Sequence, residues 1–263
     1  PRLLAKMAAT ADRLSGGRLT LGMGVGFLEG EFRALGAPNY AQRGAVTDEY
    51  LEVMRRLWET HGEVGYVGKH IAFEPAHFLP KPLQSPLPLW VGGNGRRGVR
   101  RAALLGDGWH PLFPSPAQYA EGRAVIEKLR AERGLGEFCF SYSCPETRLL
   151  DDPASVPRAT SYAGGEGLPD DYAYAPAPPT ANDGRPLFIG TAEQVGGDIQ
   201  TLVDAGAEHF VLRFWAGNAA LGVEDSIEQM ERFVADVMPR FSTSTNALRN
   251  ASKGPARHAN STE

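Results

Sequence analysis

Cysteine is scarce: two residues in 263, Cys139 and Cys144, too few for a disulfide-built scaffold. They sit close together in one strand and its exit, and two free, mostly buried thiols is the better reading. No Cys or His stands at ligand spacing with partners, so the sequence offers no metal site. His61, His70 and His77 read as surface residues. Long apolar runs are missing too; none approaches the roughly 18 residues needed to span a bilayer. A basic excess is also absent, and the formal net charge of −4 gives no support for a nucleic-acid or polybasic membrane partner. The opening "PRLLAKMAAT" lacks the apolar core of a signal peptide, which points to a cytoplasmic chain. It also lacks an initiator Met and starts inside a helical pattern, so we expect the true N-terminus to lie upstream.

What is present is alternation of strand and helix. Leu3, Leu4, Met7, Ala8, Ala11 and Leu14 recur at helical spacing, and "SGG" ends that helix. Leu19, Leu21, Met23 and Val25 then alternate with Thr20, Gly22, Gly24 and Gly26, which is a strand with bulk on one face only. A helix follows over 44–60, and a hairpin or extended excursion over 64–82. "LPLWVGGNG" is a short buried strand, with a helix at about 96–105 behind it, and "GDGWHP" is another strand. Further elements are a helix over 116–133, a strand in "EFCFSYSCP", and a capped helix from Thr191, where Thr191 and Gln194 make a capping box. A buried strand at Phe210–Phe214 and a helix over 224–238 complete the series. Residues 151–186 are rich in Pro, Gly, Ala and Asp and read as an exposed insertion. The tail 242–263 has no periodicity and reads as disordered. Short buried strands alternating with helices mean a parallel sheet, either doubly wound or a β/α barrel.

The glycines of "RLTLGMGVGFLEGEF" invite a dinucleotide reading, which the spacing refuses. A Rossmann fingerprint needs G-x-G-x-x-G on a strand-to-helix turn. Here Gly22, Gly24, Gly26 and Gly30 begin inside the strand, and the clear helix starts only near residue 44. Two readings of the bare face remain: room for a flat ligand at the strand end, or close packing against a neighbour. "WVGGNGRRG" repeats the theme, with a helix N-terminus and Arg96, Arg97, Arg100 and Arg101 beyond it. Backbone N–H groups there can hold an anion; the plain alternative is a tight turn before a solvated basic helix face. Gly190 and Thr191 make a third such place, or simply a good cap.

Taken together, "LAKMAATADRLSGGRLTLGMGVGF", "FLPKPLQSPLPLWVGGNG", "GDGWHP" and "GTAEQVGGDIQTLVDAGAEHFVL" resemble the bacterial luciferase-like monooxygenase superfamily, in its coenzyme F420-dependent branch. The resemblance implies a (β/α)8 TIM barrel over 1–241, interrupted at about 151–186. This chain would supply strands four to eight and lack the first three. By the same resemblance Gly24, Gly26, Glu31, Val91, Gly92, Gly93, Asn94, Arg96, Arg97 and Thr191 would bind the cofactor. His110 and Glu31 are the catalytic candidates, and Trp109 and His110 would face the substrate. The expected activity is hydride exchange between a small organic substrate and the deazaflavin F420, in a homodimer. The alternatives are an FMN-dependent monooxygenase fed by a partner flavin reductase, or a non-catalytic flavin-binding relative.

Overall fold

The alternation of apolar and small residues is realised as parallel strands with helices on one side. The computed structural model describes residues 1–37, 40–144, 146–152, 154, 179–214 and 223–241. The insertion between 155 and 178 and the tail 242–263 lie outside the described residues. In chain order the elements are α1 (Arg2–Leu14), β1 (Leu21–Met23), α2 (Glu29–Ala34) and α3 (Arg43–Glu59). Next come the hairpin β2 (Glu63–Val67) and β3 (Ala72–His77), then β4 (Leu89–Val91), α4 (Arg96–Leu105) and β5 (Gly108–Trp109). The rest are α5 (Pro116–Ala131), β6 (Cys139–Ser143), β7 (Arg148–Leu149), β8 (Ile189–Gly190), α6 (Ala192–Asp204), β9 (His209–Val211) and α7 (Val223–Asp236).

Five strands form one parallel sheet in the order β1-β4-β5-β6-β9, which curls into part of a barrel. β2 and β3 pair antiparallel as a separate ribbon, and β7 and β8 pair parallel as a second small sheet. Because side chains alternate along a strand, each strand sends one set outward to the helices and one set inward. The outward set is apolar and buried: Leu89, Val91, Trp109, Phe140 and Tyr142 belong to one core with Leu51, Met54, Val99, Tyr119 and Ile126 from the helices.

Polar groups pin the layers. Arg101 on α4 pairs with Asp48 and donates to the Gly44 carbonyl, tying α4 to α3. Arg55 pairs with Asp107, whose carboxylate also accepts the Leu89 N–H and so joins α3 to two strands. Arg130 donates to the carbonyls of Ala103, Gly106, Gly136 and Glu137.

In its elements the structure departs from the sequence reading at several places. α1 buries Ala5, Ala8, Ala9 and Asp12 and exposes Leu3, Met7 and Leu14, because small residues let it lie close on α3. A short helix, α2, follows the glycines where the sequence reading has its first clear helix only near 44. β9 is half-exposed rather than buried, since among the described residues it forms the sheet edge and pairs on one side only. The exit of the insertion, 185–189, turns inward: Arg185, Leu187, Phe188 and Ile189 are buried.

Candidate functional site

The inward set of the five strands differs in kind from the outward one. In-register neighbours share a face, so Gly22 stands beside Trp90, Trp90 beside Gly108, and Gly108 beside Cys139. One residue pair further toward the strands' C-terminal ends lie Gly24, Gly92, His110, Ser141 and His209, where Ser141 is the Cα neighbour of His209. The concave surface is therefore a floor built on one indole, with two imidazoles and a serine on one flank and bare glycine backbone on the other.

That bareness is literal. A Cβ added at Gly22 or Gly24 would meet nothing within 4 Å, and one at Gly92 only the His110 and Met23 carbonyls at 3.4 and 3.7 Å. At Gly108 a Cβ would run into the Trp90 indole, so this glycine is what lets the ring lie across the floor. Of the two readings of the bare face, open room describes Gly22 and Gly24, and close packing against a neighbour describes Gly26 and Gly108.

On the polar flank, His110 Nδ1 lies 2.8 Å from Ser141 Oγ. The imidazole is 6.1 Å from the Trp90 ring, and His209 meets that ring edge-on at 4.8 Å. Burial lowers the His110 pKa, and the nearby His209 and Arg213 lower it further; burial lowers His209 as well. Both shifts favour the neutral imidazole. Cys139 is half-buried and its thiol is pushed up to about 11 by burial and then by Glu208, while burial raises the Cys144 thiol well above its ordinary value; both thiols are free. Ser143 and Thr147 are buried hydroxyls with no partner among the described residues.

The loop after β1 is braced from outside. Tyr40 Oη donates to the Phe27 carbonyl at 2.6 Å and Arg43 Nε to the Gly26 carbonyl at 3.0 Å. Gly26 has φ +73°, and a Cβ there would sit 2.7 Å from Phe32, so only glycine serves. Asn94 joins the loops after β4 and β5, with Nδ2 donating to the Leu112 carbonyl at 2.7 Å and Oδ1 accepting its N–H at 3.0 Å.

The residues singled out from sequence thus fall into groups. Gly24, Gly92 and His110 share one layer, flanked by Gly26, by Val91 one step outward in the core, and by Gly93. Asn94 has both amide ends occupied by backbone. Glu31 lies exposed on α2. Arg96 and Arg97 are exposed at the start of α4, whose N-cap Gly95 supplies no side chain, and they open onto different grooves, one against α5 and one against α3. Thr191 stands beside the small β7–β8 sheet, its hydroxyl accepting the Gln194 N–H at 3.3 Å.

Trp109 does not face the concave side. It is 1% exposed, donates Nε1 to the Gly93 carbonyl at 3.0 Å, stacks on Tyr119 at 5.0 Å and abuts Gly122 of α5. Its parity on β5 is opposite to that of His110, so only one of the pair can point inward. Sequence reasoning did not single out Trp90, Ser141 or His209. "FCFSYSC" carried the signal for Ser141, since Phe138, Phe140 and Tyr142 take one face and leave the small polar residues on the other.

A curled parallel sheet with this concave end invites comparison with known proteins, and residues 1–145 match the family model for luciferase-like monooxygenases. The chain belongs to the luciferase-like monooxygenase family. Among curated relatives of this luciferase-like chain, the uncharacterized protein Rv0953c of Mycobacterium tuberculosis is 40% identical over 110 residues, which cover 41% of the chain and 38% of the relative. The FMNH2-dependent dimethylsulfone monooxygenase of Pseudomonas putida is 30% identical over 135 residues, covering 50% and 36%. The matched stretches span well under half the length of these relatives. Among solved structures, an F420-dependent secondary alcohol dehydrogenase superposes with a TM-score of 0.70 at 23% identity, covering 90% of the chain and 75% of that structure, a likeness of fold. Among the described residues, no helix is long and apolar enough to cross a membrane, and no three His, Cys, Asp or Glu side chains gather as a metal site.

Proposed function

We propose that this luciferase-like chain is an oxidoreductase that holds a deazaflavin of the coenzyme F420 type against the concave end of its sheet and exchanges hydride with a small organic substrate. The observation that carries the reading is the bare backbone of Gly22 and Gly24 facing the His110–Ser141 pair across the Trp90 floor. A tricyclic ring needs a flat wall without side chains, and these residues fit it. Gly92 and Gly93 would line the ring's far side, and Arg96, Arg97 and the uncapped α4 N-terminus would suit the phosphate and acidic tail. When bound, the deazaflavin supplies hydride transfer and activates oxygen poorly. The protein orients the substrate carbon over the ring, keeps water off one face, and offers neutral imidazoles to the other end of the substrate.

An FMN-dependent monooxygenase is the second reading. It is favoured by the Pseudomonas relative, which is named for its dependence on reduced FMN. That activity would require reduced flavin from a partner reductase.

Titration of the purified chain with F420 and with FMN, followed by cofactor absorbance, separates these. Saturable F420 binding at least tenfold tighter than FMN supports the first reading, and the reverse order supports the second. Gly24→Val should weaken binding at least tenfold with thermal stability unchanged, since its side chain enters space no protein atom occupies. If neither cofactor binds, the oxidoreductase reading falls.

A further inference from the structure

The groove that Arg97 opens onto lies on the helical side of the sheet, among α3, α4 and the turn of the β2–β3 hairpin, and encloses about 570 Å³. In a chain of net charge −4, its walls gather Lys69, His70, Arg97, Arg100 and Arg101. Two carboxylates stand near them, and both are already engaged. Asp48 pairs with Arg101, and Glu49 accepts the N–H groups of Lys69, His70 and Ile71 at 2.9, 2.9 and 3.2 Å. Lys69, Arg97 and Arg100 are exposed and have no ion pair among the described residues. A local excess of positive charge is therefore left for something outside the chain.

The groove is held in shape by its own residues. Arg101 is 7% exposed, and its guanidinium is fixed by Asp48 and by the Gly44 carbonyl at 3.0 Å. A Cβ at Gly44 would stand 2.9 Å from Arg101 Nη2, so the glycine makes room for that arrangement. The three bonds to Glu49 fix the hairpin turn in the same way, which sets Lys69 and His70 on the groove wall. Leu104 and Leu105, each half-buried, add apolar surface beside the cations.

We infer that this groove binds an extended oligocarboxylate, a flexible chain of acid groups separated by short apolar spacers. The spread of the cations decides against a single anion. Arg97, Arg101 and Leu105 follow at successive turns of α4, a wall of about 12 Å, while Lys69 and His70 come from a different element. Exposed guanidinium forks take carboxylates in two-pronged fashion, and the spacers lie on Leu104 and Leu105. The chain of acids can be carried in two ways. It is the tail of the proposed deazaflavin, reaching the groove from the Gly93 turn along the first turn of α4, or it belongs to a separate small molecule. Only the first carrier rests on the proposed function.

The test uses the full chain and calorimetric titration with tetraglutamate, with free glutamate, and with F420 bearing and lacking its glutamate residues. Wild type should bind tetraglutamate at one site, about tenfold or more tighter than glutamate, because each acid after the first binds intramolecularly. That affinity should fall with added salt. Arg97→Gln, Arg100→Gln and Lys69→Gln should each weaken tetraglutamate by about threefold to tenfold. Their thermal midpoints should not move, since none of these side chains has an ion pair to lose. Arg133→Gln, at an exposed arginine just beyond α5, changes net charge equally and should leave binding within about twofold of wild type. If the glutamates strengthen F420 binding in wild type but not in the Arg97→Gln/Arg100→Gln double variant, the cofactor carries the chain. Equal affinity of the two F420 forms, beside saturable tetraglutamate binding, assigns the groove to a separate molecule. No saturable tetraglutamate binding together with no effect of the F420 glutamates overturns the inference, and so does an equal loss in Arg133→Gln. Tetraglutamate binding with neither F420 nor FMN bound removes the proposed function and leaves this site standing.

Discussion

Asp198 of α6 accepts both ends of the Arg185 guanidinium, with Nη1 and Nη2 each 2.6 Å from a carboxylate oxygen, and one of those oxygens also accepts the Phe188 N–H at 2.8 Å. Both side chains are buried, and Asp183 adds a third contact to the same arginine at 3.1 Å. This knot returns the chain from the insertion into the core and hands it to β8 and α6. Asp198→Ala leaves an uncompensated buried guanidinium and should cost about 3–5 kcal/mol, measured by urea unfolding. A loss below 1 kcal/mol would mean that the insertion's exit is not anchored here.

Asp12 of α1 accepts the N–H groups of Leu83 and Gln84 at 2.7 and 2.9 Å and the Gln84 side-chain amide at 2.7 Å. Burial alone would raise its pKa, but these bonds from Gln84 and Leu83 hold the carboxyl below its usual value. Its folded pKa is depressed, so its contribution is complete above about pH 4 and is lost as pH falls through the folded value. Asp12→Ala should destabilise by about 1–3 kcal/mol at pH 7, and the gap to wild type should narrow on titration to pH 3.

His110 and His209 bear on stability with the opposite sign of pH. Their folded pKa values are lowered, so folding disfavours protonation. Stability is full above the unfolded value of about 6.5 and declines as pH drops below it. Urea midpoints at pH 7.5 and 5.5 should differ in wild type, and His110→Gln should reduce that difference.

Gly108→Ala places a methyl group against the Trp90 indole, with Nε1 2.7 Å away. The ring must tilt, and we expect a cost of about 1–3 kcal/mol together with weaker cofactor binding. Unchanged stability and binding would show that the floor is adaptable.

Thr191→Ala should cost about 1 kcal/mol through loss of the helix cap and leave F420 binding unchanged, because the hydroxyl is already given to Gln194. Weakened binding at constant stability would instead put the cofactor phosphate at α6.

Much of this was legible because period two is a local property. Gly22, Gly24 and Gly26 alternate with Leu21, Met23 and Val25 within one short stretch, and the five strands follow from that pattern and the helical stripes between them. The faces of two-residue strands were not legible. Nothing inside "GDGWHP" says whether Trp109 or His110 points inward; that is fixed by the pairing of Trp90 with Gly108, 18 residues away. His209 joins His110 only through the β6–β9 pairing, and the edge position that exposes β9 is likewise a property of the whole sheet. Arg185 looked like part of a polar loop because its partner, Asp198, lies on a helix whose sequence shows only an apolar stripe and a cap.

Trp90 carries a consequence of its own. An indole set between two imidazoles that titrate, beneath the glycine wall, is an intrinsic optical gauge of the site. Its emission should dim as either ring gains a proton, and should respond to any chromophore laid above it, with no label added.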